Sequence, residues 1–304
     1  MRAETVVIVN PIAGGGRAGR VQSTVRGYLA ERNHPADFLE SRSTQDLREK
    51  AAQAASAGYR TLVALGGDGA FHHVVEGAFG ADVTLGFFPA GNGNDIAAAL
   101  GIPPDPIEAV HTFLKSHPRR VDVIRVRFPD ANPASEAIYI GAGGMGLDAE
   151  AAHLANTRFS HWPGVTRYIA GAFRALRNFE PFEIELDVDG RIERERAIFV
   201  AVANGPCYGS GVRIAPDARM DDGLLDVTLV HAIPWTRLVE AFPIVLQSGD
   251  IRWPEIRRFR ARRIALRPNR SALVHGDGEI LGRAPAEFEV LPRAIRVIAP
   301  ATSH

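Results

Sequence analysis

Thr61-Leu62-Val63-Ala64-Leu65 runs directly into Gly66-Gly67-Asp68-Gly69, and this junction decides the fold. An aliphatic run with no polar alternation reads as a strand buried on both faces, as in a parallel sheet. The residues after Gly69 continue as a helix through Phe79. The same grammar recurs on either side. Upstream, the apolar Thr5–Val9 leads into Asn10-Pro11-Ile12-Ala13-Gly14-Gly15-Gly16-Arg17 and a helix from about Arg17 to Arg32. Ala36–Glu40 reads as a second strand, and Thr44–Ala57 as a helix with Thr44 as N-cap. Downstream, Thr84–Phe88 leads into Pro89-Ala90-Gly91-Asn92-Gly93-Asn94-Asp95 and a helix to Leu100. Repeated strand–loop–helix units predict an α/β domain, a parallel sheet with helices on both faces.

Beyond about Arg120 the pattern changes. Val121–Phe128, Ala137–Gly141, Phe182–Val188, Glu193–Ala203, Leu224–Val230, Arg262–Leu266, Ala286–Val290 and Ile295–Ile298 read as strands separated by turn residues. Asp189-Gly190 between two alternating runs is a hairpin signal. Two helical stretches interrupt them, roughly Val165–Asn178 and Trp235–Gln247. The expected division is therefore residues 1–121, an α/β nucleotide-binding domain completed by the last ~10 residues, and 122–304, a β-sandwich. With no low-complexity linker, a tight hinge is expected, and a cleft between domains is the default ligand site.

Composition narrows the function classes. The chain has 304 residues, long enough for about two domains. Its 46% hydrophobic and 23% charged residues exclude disordered and fibrous classes. Thirty-five basic residues balance 35 acidic ones, so nucleic acid is not an expected partner. Only Lys50 and Lys115 are lysines, which leaves few amines as phosphate anchors. The single cysteine, Cys207, excludes an intrachain disulfide and a cysteine-based zinc site, and fits a reducing cytoplasm. The N-terminal residues lack a signal peptide's apolar core, and no apolar stretch approaches the ~18 residues of a membrane span.

Three loops carry the chemistry, each at the carboxyl end of a strand, where open α/β sheets bind ligands. In Asn10–Arg17, successive glycines let backbone N–H groups converge on an anion, and the helix behind adds partial positive charge. Gly14 to Gly19 also satisfies G-x-G-x-x-G, with Glu40 as a ribose acid, but that pattern is weak in a glycine-rich loop. No G-K-[ST] occurs, which excludes a Walker P-loop. In Gly66–Gly69, an acid between glycines can hold Mg²⁺ against a phosphate. Gly91–Asp95 repeats the theme. One Gly-Asp-Gly alone is usually a turn; three such loops in one sheet describe a nucleotide–Mg²⁺ site built from backbone amides.

Asn10-Pro11-x-Ala13-Gly14, Gly66-Gly67-Asp68-Gly69 and Pro89-x-Gly91-x-x-Asn94-Asp95, in this order, resemble the catalytic domain of the diacylglycerol kinase/sphingosine kinase lipid kinases. The bacterial diacylglycerol-kinase-type branch is the most similar. The resemblance covers essentially the whole chain, through Gly141-Ala142-Gly143-Gly144-Met145-Gly146-Leu147-Asp148, Ala203-Asn204-Gly205, Arg213-Ile214-Ala215-Pro216, Asp221–Asp226, Asp277-Gly278-Glu279 and Glu287–Pro292. It implies ATP- and Mg²⁺-dependent phosphorylation of a lipid hydroxyl. It also implies that Asn10, Gly14, Gly15, Ser41, Gly67, Asp68, Gly69, Asn92 and Asp95 surround ATP. Glu279 takes the role of proton acceptor, with Asp277 beside it. Arg219 and Leu224 by carbonyl and Asp222 by carboxylate resemble a structural Mg²⁺ site, with Asp122 acting through water. Without the resemblance, Asp277-Gly278-Glu279 reads as a hairpin turn and Asp221-Asp222-Gly223 as a turn before a strand.

Some positions depart from the family pattern. Ala70 stands where a Thr is usual, His72 and His73 replace Asn-Glu, Asn92 replaces Thr or Ser, and Ser41 replaces Thr. The position-72 histidine is more like the sphingosine kinases. His153, His161 and His275 lie in no metal-ligand spacing and read as structural. Residues 251–270 carry eight arginines and one acid. With Trp253 and Trp235 nearby they suggest contact with anionic lipid through Arg252–Arg270, against the alternative of a solvated sheet edge. Trp162-Pro163 and the residues to Phe173 either line a lipid entrance or pack. The leading expectation is a cytoplasmic lipid kinase acting peripherally on membranes, and a homodimer is compatible with it. An NAD kinase and a non-catalytic nucleotide- or lipid-binding module are the rivals.

Overall fold

The structure is a computed structural model and describes residues 3–131, 133–159, 161–162, 166–176 and 179–301. It divides into two compact units: 1–121 with 293–304, and 122–292.

The first unit begins with β1 (Thr5–Val9), α1 (Ala13–Glu31), β2 (Ala36–Glu40), α2 (Thr44–Ser56), β3 (Thr61–Gly66), α3 (Asp68–Ala78) and β4 (Thr84–Pro89). Two more helices follow, α4 (Asp95–Ala99) and α5 (Pro106–Lys115), before β5 (Pro118–Phe128) leads out of the unit. All of β1 and nearly all of β3 are buried, as unalternating aliphatic runs require. β1 pairs in parallel with both β2 and β3, and β3 pairs in parallel with β4. The order is β2-β1-β3-β4, so the chain turns one way from β1 and the other way from β3. That reversal is a topological switch point, where loops diverge and leave room for a ligand. Across the sheet, Val9 is level with Leu65 and Gly66 with Pro89. Stacking of Phe71 on Phe87, centroids 4.7 Å apart, fixes α3 to β4.

Ser43, not Thr44, caps α2: its hydroxyl accepts the Asp46 N–H at 3.1 Å. The sequence reading did not include α5, although Asp105-Pro106 opens it with a side-chain cap on the Ile107 and Glu108 amides.

The second unit holds β6 (Ser135–Tyr139), β7 (Ala142–Gly146), α6 (Leu147–Thr157), α7 (Thr166–Leu176), β8 (Phe182–Val188) and β9 (Arg191–Ala203). Then come β10 (Cys207–Tyr208), β11 (Val212–Arg213), β12 (Leu225–His231), α8 (Trp235–Gln247), β13 (Ile256–Ala261) and β14 (Arg263–Pro268). It ends with β15 (Leu273–Gly276), β16 (Glu279–Arg283) and most of β17 (Ala286–Ile298). Antiparallel pairing runs β16-β15-β7-β9-β8-β14-β17. Ile264, Leu266, Phe182, Val200, Val227 and Phe288 lie in its main core. Asp189-Gly190 forms the expected hairpin, both residues at positive φ.

Several elements differ from the sequence reading. β7 is Ala142-Gly143-Gly144-Met145-Gly146, a strand whose glycines carry no β-propensity. Helix α6 and strands β13, β15 and β16 were likewise not expected. Ala286–Val290 and Ile295–Ile298 form one continuous strand, not two. The expected helix Val165–Asn178 is described as Thr166–Leu176, and its ends at 165 and 177–178 lie outside the described residues.

Candidate active site

In the first unit, backbone hydrogen bonds stitch the strand-end loops to one another. The Asn10 N–H donates to the Leu65 carbonyl at 3.0 Å, Ala90 to Gly66 at 2.6 Å, and Ser41 to Val9 at 2.8 Å. This brings Asn10, Ser41 and the two later glycine loops to one end of the sheet. Gly14, Gly15 and Gly16 all adopt positive φ before the regular helix begins. A side chain on Gly15 would meet nothing within 4 Å, so its bare, left-handed backbone faces open space. A run of left-handed glycines is the backbone form from which anion-binding amide cradles are built.

The loops at Gly67 and Gly91 approach so closely that a Cβ on Gly91 would lie 2.5 Å from Gly67 Cα. Asp68 ties them together. Its carboxylate accepts the Asp95 N–H at 2.8 Å and the Ile96 N–H at 3.0 Å, capping α4 from 27 residues away in sequence. Expected as a Mg²⁺ holder, Asp68 thus has a structural use that the sequence reading lacked. Gly69 and Asp95 lie in the first turns of α3 and α4. Asn92 is exposed, whereas Asn94 is buried at left-handed φ, and its side-chain amide closes the loop on both backbone groups of Gly91. Sequence alone gives Asn94 no role apart from the motif, because its burial follows from folding of the loop.

In the second unit, Asp277-Gly278 is the two-residue turn of the β15–β16 hairpin, with both residues at positive φ. The turn reading is borne out. Glu279 is the first residue of β16 and half-buried. The Asp277 carboxylate accepts the Ile140 and Gly141 N–H groups, each at 2.8 Å, while its own N–H donates to Ala142. Asp277 thus anchors the turn that presents Glu279. Beneath it, a Cβ on Gly276 would lie 2.6 Å from the Tyr139 ring. Burial holds the Tyr139 phenol well above its usual range, with the Asp277 and Asp148 charges adding to the effect.

Two further groups have partners that sequence alone does not give: His275, read as structural, and Asn204, read only as part of a motif. His275 Nε2 lies 3.2 Å from Asp148 Oδ2, both side chains are buried, and the ring stacks on Tyr208. Asn204 donates through Nδ2 to the carbonyls of Asp122 and Ile140 at 3.1 and 2.9 Å.

Asn204 thereby holds the backbone of Asp122, one of the residues expected at the metal loop. Asp122 is fully buried, and its Oδ2 accepts the Gly223 N–H at 2.7 Å. Its N–H donates to Met220, and Asp222 Oδ1 accepts the Leu224 N–H at 3.1 Å. Asp122 and Asp222 thus each spend a carboxylate oxygen on a loop amide, and the Met220 carbonyl takes the Asp122 N–H. Carboxylates are the oxygen donors that a hard cation such as Mg²⁺ takes.

The arginine-dense segment is largely charge-balanced. Arg257 pairs with Glu193 and Glu195, Arg260 with Asp226, Arg263 with Glu287, Arg267 with Glu185, and Arg252 with Asp250. β13 pairs only with β12 among the described strands, so its charges also sit on a sheet edge. Trp162 is exposed and Trp253 lies under Arg237. Pro163 and the side chains of Phe173 and Trp235 lie outside the described residues. No helix among the described residues is long and apolar enough to cross a membrane.

The chain is similar to known proteins over most of its length. The diacylglycerol kinase catalytic domain family matches residues 4–126, and the YegS C-terminal NAD kinase beta sandwich-like domain family matches residues 141–299. A protein named diacylglycerol kinase from Mycobacterium tuberculosis is 28% identical over 303 residues, covering 98% of this chain and 95% of its own. One of the same name from Bacillus subtilis is 27% identical over 258 residues, covering 84% and 82%. A crystal structure described as a putative diacylglycerol kinase from Bacillus anthracis superposes with a TM-score of 0.78 at 23% identity, covering 97% and 96% of the two chains. Yeast NADH kinase superposes at 0.57 with 14% identity, covering 99% and 84%, and so shares the fold. The chain therefore belongs to the family that joins a diacylglycerol kinase catalytic domain to a YegS-type NAD kinase β-sandwich-like domain.

Proposed function

We propose that this chain is an ATP- and Mg²⁺-dependent lipid kinase that phosphorylates the hydroxyl of diacylglycerol or a related lipid. The observation that carries the reading is the set of glycine loops brought level at the ends of β1, β3 and β4, in a chain of the diacylglycerol kinase family. Bound ATP supplies the phosphoryl group, and Mg²⁺ neutralises its charge. The amides around Gly14, Gly15, Gly67 and Gly69 hold phosphate oxygens where other folds use a lysine. Asn10, Ser41 and Asn92 offer neutral hydrogen-bonding groups beside them, and Asp95 offers a carboxylate. Asp68 keeps the two later loops in register. In the second unit, Glu279 accepts the proton of the lipid alcohol, a weak nucleophile until that proton leaves. Asp277 holds the Glu279 turn, while Asp122, Asp222 and the carbonyls of Arg219 and Leu224 hold a structural Mg²⁺. The acceptor lies in a membrane, so the enzyme works at its surface.

The test is labelled ATP with Mg²⁺ against diacylglycerol, monoacylglycerol, sphingosine and NAD. Product on a lipid is expected. Product on NAD alone would overturn the reading in favour of an NAD kinase, and no turnover on any acceptor would favour a binding module. Glu279→Gln is expected to abolish lipid phosphorylation with an unchanged circular dichroism spectrum. Retained turnover would remove Glu279 as the base.

A further inference from the structure

Helix α3 carries a constellation that the kinase reading does not use. Glu76 lies four residues after His72 and three after His73, the two spacings at which helical side chains meet, so its carboxylate can face both imidazoles. Glu76 Oε2 stands 2.9 Å from His73 Nδ1 and 3.6 Å from His72 Nε2. One ligand atom from each of the three residues lies within 4.8 Å of the others. A tetrahedral ion with bonds of about 2.0–2.1 Å needs donors about 3.4 Å apart, so small side-chain adjustments suffice.

Three observations separate this triangle from an ordinary surface ion pair. His72 is 1% exposed, and the other two are 14% and 15% exposed, so the donors are sheltered but reachable from one side. His73 Nε2 is buried with no hydrogen-bond partner, so only one of its ring nitrogens is satisfied. The other carboxylate oxygen, Glu76 Oε1, faces Arg48 Nη1 at 4.0 Å, which orients the carboxylate so that Oε2 points at the imidazoles.

We propose that His72, His73 and Glu76 form a binding site for one zinc-type divalent ion, with its remaining position open to solvent. Two imidazoles and one carboxylate favour a borderline-soft first-row ion over Mg²⁺, which prefers oxygen donors and keeps its waters. The ligands include no residue of the glycine loops or of the Asp122 loop, so this site stands or falls independently of the kinase reading.

The experiment is a Co²⁺ titration of the full, untagged chain after chelator treatment, followed by visible d–d absorption. One equivalent should bind with the intense bands of low coordination, be displaced by one equivalent of Zn²⁺, and be indifferent to excess Mg²⁺. His73→Gln and Glu76→Gln should each weaken binding by more than about 100-fold, beyond what loss of a supporting residue costs, with the circular dichroism spectrum unchanged. Absence of stoichiometric Co²⁺ binding by the unsubstituted chain, or binding that survives both substitutions, would overturn the site.

Discussion

Removing the Asp277 carboxylate tests whether the β15–β16 hairpin is held from outside its own turn. In Asp277→Ala two N–H groups, those of the buried Ile140 and Gly141, lose a charged acceptor at 2.8 Å. Hydrogen bonds to charged groups are worth about 1.5–3 kcal/mol each. Alanine must also occupy φ +52°, which costs about 1–2 kcal/mol more. The sum is about 4 kcal/mol at its lower end. Asp277→Gly relieves the backbone but still loses both bonds, for about 3 kcal/mol. Asp277→Asn tolerates left-handed φ and can still accept one N–H, for about 2 kcal/mol. The expected order of destabilisation is Ala, then Gly, then Asn. All three tryptophans, Trp162, Trp235 and Trp253, belong to the second unit, so urea unfolding followed by tryptophan fluorescence reports on that unit. An alanine variant within about 0.5 kcal/mol of the unsubstituted protein, the usual effect of a surface substitution, would refute the anchor. So would an alanine variant no worse than the asparagine one.

Gly91→Ala would set a Cβ 2.5 Å from Gly67 Cα and 2.9 Å from Asn94 Oδ1, and the first neighbour is backbone. It is expected to cost about 1–3 kcal/mol and to weaken nucleotide binding, measured by thermal unfolding with and without ATP; unchanged values in both would show that the loops have slack. The Arg125 hydrogen bond, with the Arg125, Arg127 and Arg263 charges, outweighs burial and holds Glu289 below its ordinary value of 4.5. A depressed carboxyl stabilises the fold above its unfolded pKa, and that stability is lost as pH falls through the folded value. Because Glu289 is 37% exposed, solvent screens the pair, and Glu289→Gln should cost less than about 1 kcal/mol at neutral pH. The variant should also show a shallower loss of thermal stability below pH 4.5, and an unchanged acid limb would refute the assignment.

Much of the first unit was legible in the sequence, because unalternating aliphatic strands and glycine punctuation are local signals. Thr5–Val9, Ala36–Glu40 and Trp235–Gln247 have the same bounds in the structure as in the reading. Legibility failed where the signal was not local. Ala142–Gly146 became a strand because β9 and β15 lie so close on either side that a side chain could not fit. A Cβ on Gly143 would meet the His275 carbonyl at 2.2 Å, and one on Gly144 the Val200 carbonyl at 2.3 Å. Asn204 and Asn94 look alike in sequence to any turn asparagine, and their roles come from the carbonyls and amides that folding brings to them.

By itself, then, the sequence determined that the N-terminal part is a parallel α/β sheet with glycine loops after three of its strands, and that Asp277-Gly278 turns a chain that next presents Glu279. Tertiary structure decided the order β2-β1-β3-β4, which makes β1/β3 a switch point. It also decided that Asp68 caps a helix 27 residues further on, and that Asp277 holds amides 136 and 137 residues before it. The reason is the range of the interactions. Strand and turn propensities act over a few residues and are written where they act, whereas register, close backbone approach and long-range capping depend on which distant segments pack side by side.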